Sequence, residues 1–273
     1  MRPKAKQYAN ALNNHLANAS QNPLIFMFEK ERTNYLQSNG FEAIGLKAVL
    51  FDMDGVLFNS MPNHARSWHE ALKPYGLQIS PEEAYLHEGR TGADTINILA
   101  KRCWGREASE EECKTIYKSK SEMFASCPPA KPMTGALELL RKVKAEGIKI
   151  VVVTGSGQQS LLNRLDKNFP NIFSTHLMVT SFDVKHGKPN PEPYLIGMKK
   201  AGIEPWEGLV VENAPLGVTS ATAAKIFTVA VNTGPLPDKV LRDAGANLLF
   251  HSMQELYEKW DEVSATFKCK KTT

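Results

Sequence analysis

The sequence predicts an α/β fold, a doubly wound parallel sheet with a small helical domain inserted after its first strand. Two observations predict it. Short apolar runs recur along the chain, each ending abruptly in polar or glycine residues, and helical patterns follow nearly all of them. One interval breaks that alternation: the first run ends near Asp52, and the next good one begins only near Ile148. A single crossover helix does not need that much chain.

The runs are Ala48–Phe51, 148–153, 177–180, 209–211 and Phe227–Val231, with a weaker one at 247–250. Both faces of each run are apolar, which is the mark of a strand buried between two layers of helices. The helical segments are Ala136–Ala145, closed by Gly147, then 159–167, Glu192–Ala201 and 216–225. Alternation of this kind gives a Rossmann-like core, whose ligands bind beyond the carboxyl ends of the strands. Within the long interval, Ser80-Pro81-Glu82-Glu83 has the form of a helix start, and Ser109 with Glu112 repeats the capping-box spacing. Segments 65–72, 95–101 and 115–124 also have helical spacing. We therefore expect a core over 46–62 and 129–273, and a helical cap over 63–128 with hinges at Met61-Pro62 and at Pro128-Pro129 to Pro132. Residues 1–45 are Asn-rich and lack periodicity until Ala43. They are expected to form a poorly ordered leader, the alternative being a docking segment that uses Leu24 to Phe28.

Composition narrows the class. The chain has 273 residues, 42% of them apolar and 23% charged, with a net charge of +4. That charge is too small and scattered to point to nucleic acid or anionic lipid. Lys268, Lys270 and Lys271 read as a solvated end. The four cysteines, Cys103, Cys113, Cys127 and Cys269, form no C-x-x-C pair, so reduced thiols in a cytoplasmic protein are expected. No run approaches the roughly 18–20 apolar residues that span a bilayer. The expected partner is a small phosphorylated molecule, with no nucleic acid and no membrane, bound by a monomer.

The chemistry is expected at the strand ends. Asp52 and Asp54 stand two apart where the first strand stops. Burying both uncompensated would cost several kcal/mol each, and Mg2+, which favours one or two carboxylates plus phosphate oxygens, resolves that cost. Asp52 is then ligand and nucleophile, and Asp54 general acid and base. The alternative is an ordinary loop pair of aspartates. Thr154-Gly155-Ser156 follows the second strand and offers a hydroxyl and N–H groups to a phosphoryl group, or simply caps a helix. Lys188, in Gly187-Lys188-Pro189-Asn190-Pro191, offers an ammonium held in a stiff loop, or is a surface lysine. Glu212-Asn213 closes the fourth strand, where Glu212 either meets a metal or caps the helix starting at Pro215. A dinucleotide-binding reading of Gly155-Ser156-Gly157 fails, because no third glycine follows at the required spacing.

Taken together, Asp52-Met53-Asp54-Gly55-Val56, Val153-Thr154-Gly155, Lys188-Pro189 and Glu212-Asn213-Ala214-Pro215-Leu216-Gly217 resemble the motifs of the haloacid dehalogenase superfamily. The insertion resembles the helical cap of its beta-phosphoglucomutase-like branch. The resemblance covers about 47–260. It implies an aspartyl phosphate on Asp52, acid–base work by Asp54, phosphate contacts from Thr154 and Lys188, and Mg2+ held by Asp52, Asp54 through its carbonyl, and Glu212. Retention of Asp54 speaks for phosphate transfer rather than dehalogenation.

The cap is expected to choose the substrate. Its most unusual stretch is His87-Glu88-Gly89-Arg90-Thr91-Gly92. Arg90 can clasp a phosphate bidentately, and Glu88 makes sense as a group that binds metal or a hydroxyl. The alternative is that Glu88 caps the following helix and pairs with Arg90. These residues, with Gly187 and Asn213, resemble the bacterial inorganic pyrophosphatases of this branch, which implies that Glu88 and Asn213 serve a pyrophosphate site. The competing expectations are a sugar-phosphate phosphatase and a hexose phosphomutase. Asn213, where mutases carry an acid, speaks against the last.

Overall fold

A computed structural model describes residues 23–155 and 160–267. These residues form one six-stranded parallel sheet in the order β3-β2-β1-β4-β5-β6, with β1 Ala48–Phe51, β2 Lys149–Val153, β3 Met178–Val179, β4 Gly208–Glu212, β5 Phe227–Val231 and β6 Leu248–Phe250. β1 lies between β2 and β4, with Phe51 beside Val152 and Val211. The chain moves to one side of β1 for β2 and β3, then crosses to the other side for β4. The crevice that such a reversal leaves at the carboxyl ends is where the predicted motifs fall.

The apolar runs are continuous because alternate residues serve two cores. Val49, Phe51, Ile150, Val152, Leu209 and Val211 join one cluster, whereas Ala48, Leu50, Val151, Val153 and Val210 join the other. The first face is covered by α6 (Ala136–Ala145), α7 (Ser160–Asn168), α11 (Met253–Glu258) and α12 (Trp260–Phe267). The second is covered by α8 (Glu192–Ala201) and α9 (Pro215–Ala223). A short α10 (Asp238–Asp243) packs at the β5–β6 end.

The insertion is four helices: α2 (Met61–Leu72), α3 (Pro81–Leu86), α4 (Gly92–Trp104) and α5 (Glu110–Ser126). They share a core of their own, with Trp68, Leu72, Ile96, Leu99 and Ile116 at its centre. Both anticipated caps form: Ser80 accepts from the Glu83 N–H, and Ser109 with Glu112 makes the reciprocal box. Met61-Pro62 lies within a helix rather than in a connecting loop. Pro62 lies in the first turn of α2, where its missing N–H has no helical partner to lose. The first crossing moves back to Asn59 and Ser60, which run beside the second, the Asn59 N–H donating to the Lys131 carbonyl at 2.9 Å.

The expectation of a poorly ordered leader is corrected over 23–45. Pro23–Asn39 is a helix, α1, and Phe28 and Tyr35 on its inner side are buried in the first core. Phe28 meets Phe250, and Tyr35 meets Phe227 edge-on. The Tyr35 hydroxyl donates to the Lys225 carbonyl at 2.8 Å. Burying Phe28 alone contributes about 1.5–3 kcal/mol. Phe26 and Met27 stay exposed.

Candidate active site

Asp52 follows β1 directly, and its N–H continues the ladder to the Val211 carbonyl at 3.0 Å. The next residues turn sharply: Gly55, at φ +82°, sends its N–H to the Phe58 carbonyl at 2.7 Å. A Cβ at Gly55 would lie 2.0 Å from the Asn213 amide nitrogen, so only glycine lets this turn lie against the end of β4.

Lys188 organises the floor. Its ammonium donates to Asp52 Oδ1 at 2.5 Å, to Glu212 Oε1 at 2.6 Å and to the Val153 carbonyl at 3.3 Å. It thereby ties together the ends of β1, β2 and β4. Burial opposes its charge, but Asp52 and Glu212 outweigh that and hold its proton firmly. One ammonium cannot compensate two carboxylates. Burial pushes the Asp52 carboxyl up to about 8; Lys188 opposes this, and Glu212 and Asp54 add to it. Asp52 Oδ2 is buried with no hydrogen-bond partner.

Glu212 is fully engaged. Oε1 also accepts from the Tyr194 hydroxyl at 2.7 Å, and Oε2 accepts from the N–H groups of Asn213 and Ala214 at 3.0 and 3.3 Å. Gly217 lies so close beneath that a Cβ there would fall 1.9 Å from Oε1. Glu212 therefore fastens the turn between β4 and α9 and anchors Lys188, each of its oxygens accepting from two donors.

Asp54 faces the cap. Ser60 Oγ donates to its Oδ1 at 2.5 Å, and His64 Nε2 stands 3.5 Å from the same oxygen. Burial works to raise this carboxyl, but the His64 ring, the Ser60 hydroxyl and the Arg164 guanidinium outweigh it and hold the group well below the usual carboxylate range. His64 is stacked on Phe124, and its Nδ1 lies 2.9 Å from Lys120 Nζ. An ammonium can only donate, so Nδ1 accepts and the ring proton sits on Nε2, toward Asp54. Burial and Lys120 lower the His64 pKa. Burial also brings Lys120 down to about 8, with Asp54 opposing. Lys120, from α5, is 7% exposed and lies over the Trp68 and Phe124 rings. Sequence reasoning missed Ser60, His64, Lys120, Arg164 and Tyr194. Ser60 and His64, close behind Asp54, had a weak signal in their spacing. Lys120 had none.

The cap loop reaches the floor. Glu88 Oε2 accepts from the Asn213 amide at 3.0 Å, while Glu88 Oε1 and Asn213 Oδ1 are buried without partners. Burial raises the Glu88 pKa well above normal, and Asp52, Glu212 and Asp54 add to the rise. The helix that Glu88 was offered as capping is capped by Thr91, which accepts from the Asp94 N–H at 3.1 Å. Arg90 lines the same cavity, its Nε buried and unpartnered. Gly89 lies over the Lys188 stem and against Gly155 and Gly187. A partly open cavity of about 120 Å³ is lined by Asp52, Asp54, His64, Glu88, Arg90 and Lys120 with the Trp68, Tyr117 and Phe124 rings, and it adjoins a larger one of about 490 Å³ bordered by Arg90, Thr154 and Lys188. Thr154 is buried at its edge and its N–H bonds the Val179 carbonyl at 2.9 Å, while Gly155 lines the cavity wall. Ser156 lies outside the described residues.

The donor set fits a hard divalent cation. Among the described residues, no three acidic, histidine or cysteine side chains form a ready-made metal cluster. The orphaned oxygens Asp52 Oδ2, Asn213 Oδ1 and Glu88 Oε1 are instead mixed carboxylate and amide donors, the kind that Mg2+ accepts alongside main-chain carbonyls and water.

The profile of the haloacid dehalogenase-like hydrolases matches residues 49–231. The chain belongs to this family. It is 32% identical over 213 residues to hexitol phosphatase A of Escherichia coli, covering 77% of this chain and 93% of that protein. A solved Bacteroides vulgatus protein described as a candidate beta-phosphoglucomutase is 59% identical, with TM-score 0.86 over 89% of this chain and 99% of the other. A candidate pyrophosphatase, PpaX, from Caldanaerobacter subterraneus is 28% identical over 212 residues, 77% of this chain and 93% of that one. This haloacid dehalogenase-like hydrolase has no helix among the described residues long and apolar enough to cross a membrane.

Proposed function

We propose that the chain is a magnesium-dependent phosphohydrolase that passes through an aspartyl phosphate on Asp52, and that its substrate is inorganic pyrophosphate. The observation that carries the substrate is the cavity. It gathers Asp52 and Asp54 of the floor with Glu88, Arg90 and Lys120 of the cap. Trp68, Tyr117 and Phe124 complete its wall. Lys120 and Arg90 face a second phosphate, and Glu88 enters from the cap.

Magnesium would be held by Asp52, the Asp54 main-chain carbonyl and Asn213 Oδ1, with Glu88 approaching from the cap and Glu212 kept to its role with Lys188. When bound, it offsets the charge crowded around Asp52. The chain's own residues then do the following. Asp52 Oδ2 attacks one phosphorus; the bond to the bridging oxygen breaks, and the departing phosphate leaves with the proton that monoprotonated pyrophosphate brings, because Ser60, His64 and Arg164 keep Asp54 ionised. Ser60 and His64 hold Asp54 in place. Asp54 next takes a proton from water, whose oxygen attacks the phosphorus and releases Asp52 and the second phosphate. Thr154 holds the transferring phosphoryl oxygens, and Lys188 keeps Asp52 aligned behind them. The overall balance is pyrophosphate and water to two phosphates.

The test is phosphate release from pyrophosphate with Mg2+, expected in the wild type and abolished by Asp52→Asn. Turnover of many sugar phosphates with none of pyrophosphate would sink the substrate. A second reading, sugar-phosphate hydrolysis or mutase chemistry, is favoured by the relatives named for hexitol phosphate and beta-phosphoglucomutase. Glucose 1-phosphate with a bisphosphate primer, yielding the 6-phosphate, would establish the mutase. We keep a cytoplasmic monomer as the working form; the free Cys103, Cys113 and Cys127 suit a reducing compartment.

A further inference from the structure

The segment Asn232-Thr233-Gly234, which follows β5, belongs to none of the motifs above. It is nevertheless held rigidly. The Asn232 N–H donates to the Phe250 carbonyl at 2.7 Å, and its side-chain amide donates to the Leu236 carbonyl at 2.8 Å and to Asp238 Oδ1 at 2.7 Å. The Thr233 hydroxyl donates to the Gly55 carbonyl at 2.7 Å, so the segment is fastened to the turn that carries Asp52 and Asp54.

Gly234 faces the cap. A Cβ there would lie 2.7 and 2.8 Å from two ring carbons of Tyr85, so the ring rests directly on the glycine backbone. The φ of Gly234 lies outside the left-handed region, and it is the ring rather than the backbone that bars a side chain. Tyr85 is in the last turn of α3, and its carbonyl accepts from the Glu88 N–H at 3.4 Å. Glu88 in turn bonds Asn213, whose amide lies against Gly55. The contacts close a circuit: Gly55, Thr233, Gly234, Tyr85, Glu88, Asn213 and back to Gly55.

We propose that Tyr85 and Gly234 are positioning residues: their contact is the stop that sets how far the cap closes, and so where Glu88 meets Asn213. The two crossings between cap and core lie at Asn59 and Ser60 and at 127–131, paired by the Asn59 N–H on the Lys131 carbonyl. A cap carried on such crossings is a lever, and a lever needs a seat near its working end. Gly89 on the Lys188 stem supplies a seat on one side of Glu88, and the Tyr85 ring on Gly234 supplies the other. Any side chain at 234 would prop the cap open by roughly the thickness of a methyl group. This rests on Glu88 being an active-site group, but not on pyrophosphate being the substrate.

Four variants test it: Gly234→Ala, Tyr85→Ala, Tyr85→Phe and the double Gly234→Ala/Tyr85→Ala. The assay is phosphate release from pyrophosphate, or from p-nitrophenyl phosphate if the wild type does not turn pyrophosphate over; that failure would count against the substrate alone. Gly234→Ala is expected to lower kcat/KM by on the order of 10- to 100-fold, the cost of an ångström-scale misplacement. Tyr85→Phe keeps the ring and the wild-type rate, whereas Tyr85→Ala falls by about tenfold. The double variant recovers relative to Gly234→Ala, because removing the ring removes the collision. Melting temperatures are measured beside each rate, and the Tyr85 pair stands as the test if Gly234→Ala does not fold. Gly234→Ala at the wild-type rate, Tyr85→Ala indistinguishable from Tyr85→Phe, or a double variant no better than the product of the singles would each overturn the proposal.

Discussion

The floor and the roof of the cavity differ in how completely their polar groups are paired. On the floor, each Glu212 oxygen has two donors, and Lys188 is bound to two carboxylates and a carbonyl. At the roof and the seam beneath it, Glu88 Oε1, Arg90 Nε, His87 Nδ1 and Asn213 Oδ1 are buried with nothing to bond. A folded protein seldom leaves buried polar atoms unpaired without a reason. The floor is a finished scaffold whose bonds hold three strand ends in register. Under the proposed function, the groups of the roof are the ones that meet the charges of the substrate and its cation. Asp52 sits where the two meet, with one oxygen in each condition: Oδ1 on Lys188 and Oδ2 orphaned.

That contrast can be broken by substitution, and the largest effect is expected on the floor. Lys188→Met leaves Asp52 and Glu212 buried against each other. It should abolish turnover and destabilise the fold by about 3–5 kcal/mol, read by denaturant unfolding. Unchanged stability would mean the floor is not the scaffold described. Glu88→Gln, at the roof, should behave in the opposite way. Activity falls by on the order of 10- to 100-fold, from loss of a charged ligand, while the melting temperature holds or rises, since a buried carboxylate with an empty oxygen has gone. A matched loss of stability would place Glu88 with the floor residues.

The smallest effect is a pH dependence. Burial lowers the Lys120 pKa to about 8, so its cation is present below that pH and lost above it. KM for the phosphorylated substrate should therefore rise by about tenfold as pH climbs through the alkaline range. In Lys120→Gln, KM should start high and lose that inflection. An inflection that survives the substitution would assign it to another group.

The sheet was legible because its strands are buried on both faces, which turns each into an uninterrupted apolar run; the two-residue β3 is the weakest of them in both sequence and structure. Helices such as Ala136–Ala145 and Glu192–Ala201 were legible from spacing alone. Residues 23–45 of the leader were misread, the rest lying outside the described residues, because α1 buries little beyond Phe28 and Tyr35, one face of an otherwise polar stretch, and the partners that order it lie far along the chain. The floor residues were legible because each closes a strand at the same edge. Glu212 stands at the predicted edge, but the four donors around it were not legible: carboxylate chemistry is visible in a sequence, whereas hydrogen-bond partners are not. Lys120 was illegible for a related reason. On α5 it stands among Lys114 and Lys118 as one more helical lysine, and only the packing of α5 on α2 turns it inward to His64.

The most direct test of Asp52 as the nucleophile is to trap its phosphoryl group. Enzyme turning over pyrophosphate with Mg2+ is quenched in acid, and the peptide containing Asp52 is weighed by mass spectrometry. The expected result is that peptide carrying one added phosphoryl group in the wild type and none in Asp52→Asn. Turnover that continues in Asp52→Asn, or a phosphoryl group found on a different residue, would contradict it.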